Sequence, residues 1–244
     1  MAGLALKQHR WAPGPDALIN WSHPLAHGLS DFYVWDGATF VCLVKGDRMT
    51  RQSGLASSTT ALGRSGSSSG SANSGAYRQM TSSTIGTYPT TFTWVGQSLG
   101  APAGNGVALM AITAQSPTLS ADVVPYLWGL DRAATTGEVR MFDPSGASYT
   151  GFTTGTALTT GALSVVVGVT DNNDQRLYQN GVRTVSATAA RSDPTITDPY
   201  LCISTYLDFR TPAERSTVAM LHRRALTAGE AAALYADPFC MLRT

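Results

Sequence analysis

The sequence predicts an all-β fold, a two-sheet antiparallel sandwich, from its composition and from the spacing of its apolar runs. Only 14% of the 244 residues are charged, against about 25% in an average globular protein. The acidic residues include only three glutamates, which leaves little material for charged surface helices and argues against an all-α fold. Short runs rich in β-branched and aromatic residues, bounded by Gly, Pro, Asn or Asp, recur from residue 76 onward, as strands require.

Residues 1–30 are predicted to form an extended arm, because prolines and glycines interrupt any regular element there. Trp11, Ile19 and Trp21 give this arm apolar side chains, which have to pack on its own domain or on a neighbour. We expect these three residues to anchor the protein to a partner subunit. The domain proper is expected to cover residues 31–244.

The next elements of the chain are predicted to be strands. Residues 31–45 form two short strands around Asp36-Gly37, a dipeptide typical of hairpins. The stretch 53–75, in which 14 of 23 residues are Ser or Gly, is predicted to be a long loop or a series of weak edge strands. Further strands are predicted over residues 91–97, 106–113, 123–130, 138–144, 163–170, 175–181, 200–205 and 218–226.

One helix is predicted, over residues 227–236. Thr227 and Glu230 have the spacing of a capping box, alanines follow them, and Pro238 ends the helix. A helix of this length is not stable alone in water, so it has to dock on the sheet, through Leu234 and Tyr235.

Two stretches of the chain resemble a known superfamily. Residues 163–188 run strand, polar turn, strand, Asn-Gly turn and strand, with Leu177-Tyr178-Gln179-Asn180-Gly181 at their centre, and residues 218–239 contain Arg-Ala-Leu-Thr, the capped helix, a Tyr and a Pro. Together they resemble the laminin-G-like branch of the concanavalin A-like lectin/glucanase superfamily, although Asn173-Asp174 replaces the usual Gly of the first turn. The resemblance implies a jelly-roll sandwich that such a hairpin and tail close.

The segment NWSHPLAHGL at residues 20–29 and the Asp-Pro-Phe at residues 237–239 also resemble tailed-phage virion proteins that carry this fold. That resemblance implies a non-enzymatic structural protein of the virion, a capsid decoration or a fibre or tail component. Its partners would be capsid or tail subunits and further copies of itself, assembled in the host cytoplasm. The alternative is a lectin-like module that recognises sugars of the host surface.

Glycoside hydrolysis is the enzymatic activity to consider, because the superfamily includes glucanases. Retaining glycosidases place two carboxyl groups about 5–5.5 Å apart. No two of Glu138, Glu214 and Glu230 share a strand. Glu138 and Asp143 are five positions apart, and an odd separation puts two side chains of a strand on opposite faces. We therefore predict that the protein is not an enzyme and has no catalytic residue.

The candidate ligand-binding residues lie in one polar turn and on two strands. Asp171, Asn173 and Asp174 offer oxygen atoms to a cation or a sugar, although Asn and Asp are also ordinary turn residues. Tyr126 and Tyr178 are aromatic residues on which a sugar ring can stack. The sequence has no phosphate-binding loop, dinucleotide fingerprint or metal-ligand spacing, so we predict neither a cofactor nor a metal.

Charge and cysteine content argue against several partners. The net charge of +1 gives no electrostatic footprint for nucleic acid or an anionic membrane, and no run approaches the 18 apolar residues of a membrane span. The first residues lack the apolar core of a signal peptide. Cys42, Cys202 and Cys240 are odd in number, so we expect three reduced thiols in a reducing cytoplasm.

Overall fold

The chain folds into two antiparallel sheets and a third layer that covers one of them, as seen in a computed structural model. The structure describes residues 14–52, 54–69, 75–80, 89–100, 107–113, 127–133, 136–143, 151–171, 174–188, 199–206 and 213–243. The described strands are β1 (Leu29–Trp35), β2 (Phe40–Cys42), β3 (Thr50–Arg51), β4 (Leu55–Thr60), β5 (Gly63–Ser69), β6 (Ala76–Gln79), β7 (Thr90–Ser98), β8 (Val107–Thr113), β9 (Leu127–Arg132), β10 (Glu138–Asp143), β11 (Gly151–Ala157), β12 (Leu163–Thr170), β13 (Asp174–Gln179), β14 (Val182–Thr188), β15 (Tyr200–Tyr206) and β16 (Ala213–His222). One α-helix, α1 (Ala228–Ala236), follows them. The predicted all-β fold with a short C-terminal helix is confirmed.

The strands divide into a nine-stranded and a seven-stranded sheet. The nine-stranded sheet has the order β14-β13-β12-β7-β16-β1-β2, and the β4–β5 hairpin joins it through β16. The seven-stranded sheet has the order β11-β10-β9-β8-β15-β6-β3. Large side chains from both sheets, including Trp94, Trp128 and Leu177, fill the space between them. Leu177 and Tyr178 point to opposite faces of β13, as strand alternation requires.

The third layer covers the other face of the nine-stranded sheet. It consists of the arm from residue 14 to residue 28, with a short 3-10 helix at Pro24–Ala26, together with α1 and the C-terminal segment 239–243. Ile19 pairs with Leu242, and the Asn20 N–H donates to the Met241 carbonyl at 2.8 Å. Ile19 is only 5% exposed, so this residue packs on its own domain, because the apolar face of the sheet beneath it requires a cover.

The capping box starts α1. The Thr227 hydroxyl accepts from the Glu230 N–H at 3.3 Å, and a Glu230 carboxylate oxygen accepts from the Thr227 N–H at 2.8 Å. Burial raises the pKa of the Glu230 carboxyl, but hydrogen bonds from Arg224 and Thr227 outweigh this and lower the pKa to about 2. None of the helices in the described part of the chain has the length and hydropathy needed to cross a membrane.

Of the two alternatives predicted for the Ser/Gly-rich stretch 53–75, the described residues form edge strands, the β4–β5 hairpin. Its small residues are required by packing, since a Cβ added at Gly66 would lie 2.9 Å from the indole ring of Trp35. The described bounds of most predicted strands lie within two residues of the prediction, whereas β16 runs from Ala213 to His222 instead of 218–226. β9 is described over Leu127–Arg132, and residues 123–126 of its predicted range lie outside the described residues. β11 was not predicted, because its Thr/Gly-rich sequence gives a weak strand signal.

Candidate functional site

The polar turn between β12 and β13 is held by an arginine. Arg176 lies 3.6 Å from a carboxylate oxygen of Asp171 and 3.2 Å from one of Asp174. The Asp171 N–H also donates to the Asp174 carbonyl at 2.9 Å, which closes the turn. Asn173 lies outside the described residues. The single guanidinium already contacts both carboxylates that are predicted to receive a ligand, and it balances one of their two negative charges.

The other predicted ligand residues are not brought to this turn. Tyr178 is 2% exposed and packs under the third layer, so its ring offers no face to a sugar. Tyr126 lies outside the described residues. No group of three or more His, Cys, Asp or Glu side chains able to hold a metal ion occurs in the part of the chain that the structure describes.

The arm residues divide between core and surface. Ile19 is buried, whereas Trp21 is 51% exposed and its neighbour Leu18 is 63% exposed. Trp11 lies outside the described residues. The arm therefore fixes its own backbone against the C-terminal segment and presents two large apolar side chains to solvent.

A row of side chains that the sequence analysis did not single out crosses the outer face of the seven-stranded sheet. Strand pairing aligns Tyr77 with Cys202, Cys202 with Ala111, Ala111 with Gly129, and Gly129 with Phe142. Their sequence neighbours point into the core between the sheets, so these residues point to the other side of the sheet. Ala111 and Cys202 are nonetheless fully buried and Phe142 is 6% exposed, so the middle of this row is covered. Adjacent strands are about 4.8 Å apart, so the row spans about 19 Å, with small residues between an aromatic residue at each end.

Both ends of this row carry polar or aromatic partners. At one end, the rings of Tyr77 and Tyr200 lie 6.2 Å apart at 59°. At the other end, Arg140 donates to both carboxylate oxygens of Asp131, at 2.9 and 2.5 Å, and its guanidinium lies 5.0 Å from the ring centre of Phe142. We call Tyr77, Tyr200, Asp131, Arg140 and Phe142 the candidate face.

The candidate face combines a buried carboxyl group, that of Asp131, with half-buried side chains at both ends of the row. The Asp131 side chain is 4% exposed, whereas Tyr77, Tyr200 and Arg140 are half-buried. Burial raises the pKa of the Asp131 carboxyl to about 7, although the neighbouring guanidinium of Arg140 lowers it. Only the sheet register brings these residues together, since Tyr77 and Tyr200 are remote in sequence. The one signal in the sequence was the alternation of polar and apolar residues along β9 and β10.

A second polar cluster joins the two sheets at one end of the sandwich. One carboxylate oxygen of Asp31, on β1, accepts from Lys45 at 2.7 Å, from Arg78 on β6 at 2.9 Å and from the hydroxyl of Tyr33 at 3.2 Å. Arg78 also donates to Asp47. Burial, followed by the charge of Asp31, raises the pKa of Tyr33 well above its ordinary value. Two cations balance two carboxylates here, and we assign this cluster a structural role.

The three glutamates are each engaged in structure. Glu138 accepts from the Thr136 hydroxyl at 2.9 Å, and Glu230 belongs to the capping box. Glu214 is buried between the sheets, 3.4 Å from Arg132. Asp131 lies on the opposite, outer face of β9, so it does not face Glu214.

Comparison with known proteins supports the fold. No protein-family model matches the chain, and no characterised protein matches it in sequence. Among solved structures, it is similar to the binding domain of Paraclostridial Mosquitocidal Protein 1 (TM-score 0.63, 14% identity, 87% of this chain and 53% of that one). It is also similar to Trypanosoma rangeli sialidase in complex with 2,3-difluoro-KDN (TM-score 0.59, 13% identity, 88% of this chain and 33% of that one).

A third similar structure is domain 4 of AbnA, an extracellular arabinanase from Geobacillus stearothermophilus, in complex with arabinotriose (TM-score 0.57, 13% identity, 85% of this chain and 98% of that one). The chain spans about half of the mosquitocidal binding domain and a third of the sialidase. At these identities the likenesses establish a shared fold. The chain is a jelly-roll-like β-sandwich of two antiparallel sheets.

Proposed function

We propose that this protein is a non-enzymatic, lectin-like module that binds glycans through the candidate face. The observation that carries this proposal is the placement of the Tyr77–Tyr200 pair and the Asp131–Arg140 pair on one face of one sheet. Sugar sites combine aromatic rings, on which a sugar ring stacks, with a few fixed polar groups that orient it. The arabinotriose bound to the similar arabinanase domain supports the same use of the fold.

The polar part of the candidate face is already oriented. Arg140 is held by two parallel hydrogen bonds to Asp131 and lies over the ring of Phe142, so its direction is fixed before any ligand arrives. A preorganised group loses less conformational entropy on binding than a mobile one.

We further propose that the module is carried on a phage particle, which assembles in the host cytoplasm. The two stretches that resemble virion proteins meet in the third layer, where Leu25 and Phe239 pack in one apolar cluster. This layer also presents Leu18 and Trp21 to solvent. Exposed apolar side chains on a fixed backbone suit contact with a capsid or tail subunit.

A glycan array and a particle-incorporation assay test both proposals with the same two variants. Tyr77→Ala should lower glycan binding about fivefold to tenfold, because it removes one stacking ring, and should leave incorporation into particles unchanged. Trp21→Ala is the matched control, since it removes an exposed aromatic residue from the far side of the molecule. It should lower incorporation and leave glycan binding unchanged.

Binding to an isolated subunit should be weak, and many copies on a particle should raise the avidity by roughly 10²–10⁴-fold. Equal glycan binding by the wild type and Tyr77→Ala would exclude the candidate face. Reducing-sugar release that disappears on substitution of one Asp or Glu would show that the protein is an enzyme.

A further inference from the structure

Side chains from three other strands hold the turn between β1 and β2, residues 36–39. The Asp36 carboxylate accepts from the Ala38 N–H at 2.7 Å and from the Thr39 N–H at 2.8 Å, so these two amide groups face that side chain. The carbonyl groups at positions 36, 37 and 38 each accept from a different strand, from Arg64 on β5, Ser57 on β4 and Arg51 on β3, respectively. The turn is therefore fixed, and two guanidinium groups lie against it.

A third arginine joins them at the same turn. Arg48 pairs with the Asp36 carboxylate, and its side chain is 58% exposed. Arg51 and Arg64 are exposed as well, and neither forms an ion pair with a described residue. Three guanidinium groups and one carboxylate give this turn a local net charge of +2, against +1 for the whole chain. We call Arg48, Arg51 and Arg64, with residues 36–39, the arginine tip.

The arginine tip is open to a ligand. A guanidinium group has five N–H donors, and Arg51 and Arg64 each donate one hydrogen bond to a described residue, both at 3.3 Å. Most of the donors on each group therefore remain for a ligand. A Cβ added at Gly37 would have only Arg64 Nη1 near it, at 4.0 Å, so no described residue covers the turn.

Guanidinium groups bind oxyanions, and the charge of the arginine tip selects among them. Arginine donates paired hydrogen bonds to phosphate and to carboxylate groups. A phosphate monoester carries about −1.5 to −2 charges at pH 7 and three acceptor oxygens, whereas a carboxylate carries a single charge. The local net charge of the arginine tip therefore matches a phosphate monoester.

We propose that the arginine tip binds the phosphate monoester of a phosphorylated sugar. The assignment to a sugar rests on the proposed function, because Thr50, the residue before Arg51, pairs with Tyr77 of the candidate face. β3 is the last described strand of the seven-stranded sheet on this side, so no described strand separates the arginine tip from Tyr77. A glycan that crosses this edge contacts both. The phosphate site itself does not depend on the proposed function.

The charges of the arginine tip do not change between mildly acidic and neutral pH. Burial raises the pKa of the Asp36 carboxyl, but hydrogen bonds from the Thr39 and Ala38 N–H groups and from Arg48 outweigh this and hold the pKa below its ordinary value. Asp36 therefore stays ionised, as do the arginines. A change in phosphate binding over this range reports on the ligand and not on the arginine tip.

Isothermal titration calorimetry of the full chain with glucose 6-phosphate tests the site. Arg51→Gln and Arg64→Gln each remove one positive charge and should raise the dissociation constant about threefold to tenfold. Arg183→Gln is the matched control and should bind like the wild type, because Arg183 is an exposed arginine on β14, at the opposite end of the nine-stranded sheet. Thermal unfolding of the three variants shows that each is folded.

Related ligands test the charge and the carrier. Glucuronate and glucose 6-sulfate carry one charge each and should bind about fivefold more weakly than glucose 6-phosphate. Because the second pKa of a phosphate monoester is about 6, lowering the pH from about 7.5 to about 5 should weaken glucose 6-phosphate binding about fivefold and leave glucose 6-sulfate binding unchanged. Inorganic phosphate, which lacks the hydroxyl groups of the sugar, should bind about threefold more weakly.

Several results would contradict the proposal in different ways. Equal dissociation constants for the wild type, Arg51→Gln and Arg64→Gln would overturn it, and so would glucuronate binding as tight as that of glucose 6-phosphate. Inorganic phosphate that binds as tightly as glucose 6-phosphate, or a DNA duplex that binds more tightly through the same arginines, would overturn the assignment to a sugar. Phosphate binding that depends on the arginines, together with unchanged glycan binding by Tyr77→Ala, would exclude the candidate face and support the arginine tip.

Discussion

At the scale of single residues, the Asn180-Gly181 turn shows how local chemistry sets a larger contact. Both residues have positive φ, 52° and 77°, as a tight hairpin turn requires. Asn180 also pairs with β12, since its side-chain oxygen accepts from the Val165 N–H at 2.9 Å and its own N–H donates to the Val165 carbonyl at 2.8 Å. The absence of a side chain at Gly181 lets α1 approach the turn.

Substitution of Gly181 should therefore lower the free energy of unfolding by more than its positive φ alone accounts for. Gly161→Ala is the matched control, because its φ of 78° nearly equals the 77° of Gly181 and nothing lies within 4 Å of its added Cβ. At Gly181 the Cβ would lie 3.2 Å from Ala232 and 3.3 Å from Tyr235. We expect Gly161→Ala to lower the free energy of unfolding by about 1 kcal/mol and Gly181→Ala by about 2 kcal/mol.

Urea denaturation of both variants measures this difference. Equal losses would mean that α1 shifts away from the turn without cost.

At the scale of elements, the helix and the tight turns were predictable because their signals are local. Thr227 and Glu230 are three residues apart, and Asn180 and Gly181 are adjacent. Each pattern therefore predicts its structure without information from the rest of the fold. The pair of hydrogen bonds between the Gln179 side chain and the Thr156 backbone was not predictable, since it depends on how β11 folds over β13. The candidate face escaped prediction for the same reason.

The docking of α1 on the sheet is open to a direct measurement. Leu234 is fully buried in the cluster beneath the third layer. Leu234→Ala should lower the free energy of unfolding by about 2–4 kcal/mol, through lost burial and the cavity left behind. Ala233→Ser, on the exposed side of the same helix, should cost only about 0.5 kcal/mol. Chemical denaturation compares the two, and similar small losses would indicate a helix that does not depend on docking.

At the scale of the whole molecule, two buried ionisable groups lie on different sheets, and their contributions to stability change in opposite directions with pH. His222 is fully buried, and its Nε2 lies 2.9 Å from the Leu25 carbonyl, which can only accept, so Nε2 carries the hydrogen. Burial lowers the pKa of His222 to about 4, and burial raises the pKa of Asp131 to about 7.

The signs of the two contributions follow from these shifts. His222 takes up a proton near pH 6.5 when the protein is unfolded, but only near pH 4 when it is folded. Its contribution to the free energy of unfolding is therefore complete above pH 6.5 and is lost as the pH falls through 4. Folded Asp131 holds its proton above the unfolded pKa of about 3.9, so its contribution is complete below that pH and is lost as the pH rises through 7. Between pH 4 and 6.5 the two changes cancel in part.

Single substitutions should separate these contributions. The stability of Asp131→Asn should rise between pH 4 and 6.5 by about 3 kcal/mol, because only the His222 change remains. The stability of His222→Gln should fall over the same interval by a similar amount. Urea unfolding at several pH values tests both, and parallel pH profiles for the two variants would contradict the assignment.

The position of β16 in the sheet determines how early in synthesis the nine-stranded sheet can form. This strand lies between β7 and β1 in the middle of the nine-stranded sheet, yet it is synthesised after every other described strand. Until β16 has been synthesised, the edge of β1 that pairs with β16 is free. Phe32 and Val34 also stay exposed until the C-terminal segment has been synthesised and packs over them. Such non-local closure makes folding slow and leaves apolar strands exposed to aggregation during synthesis, so the nascent chain is a natural client for chaperones.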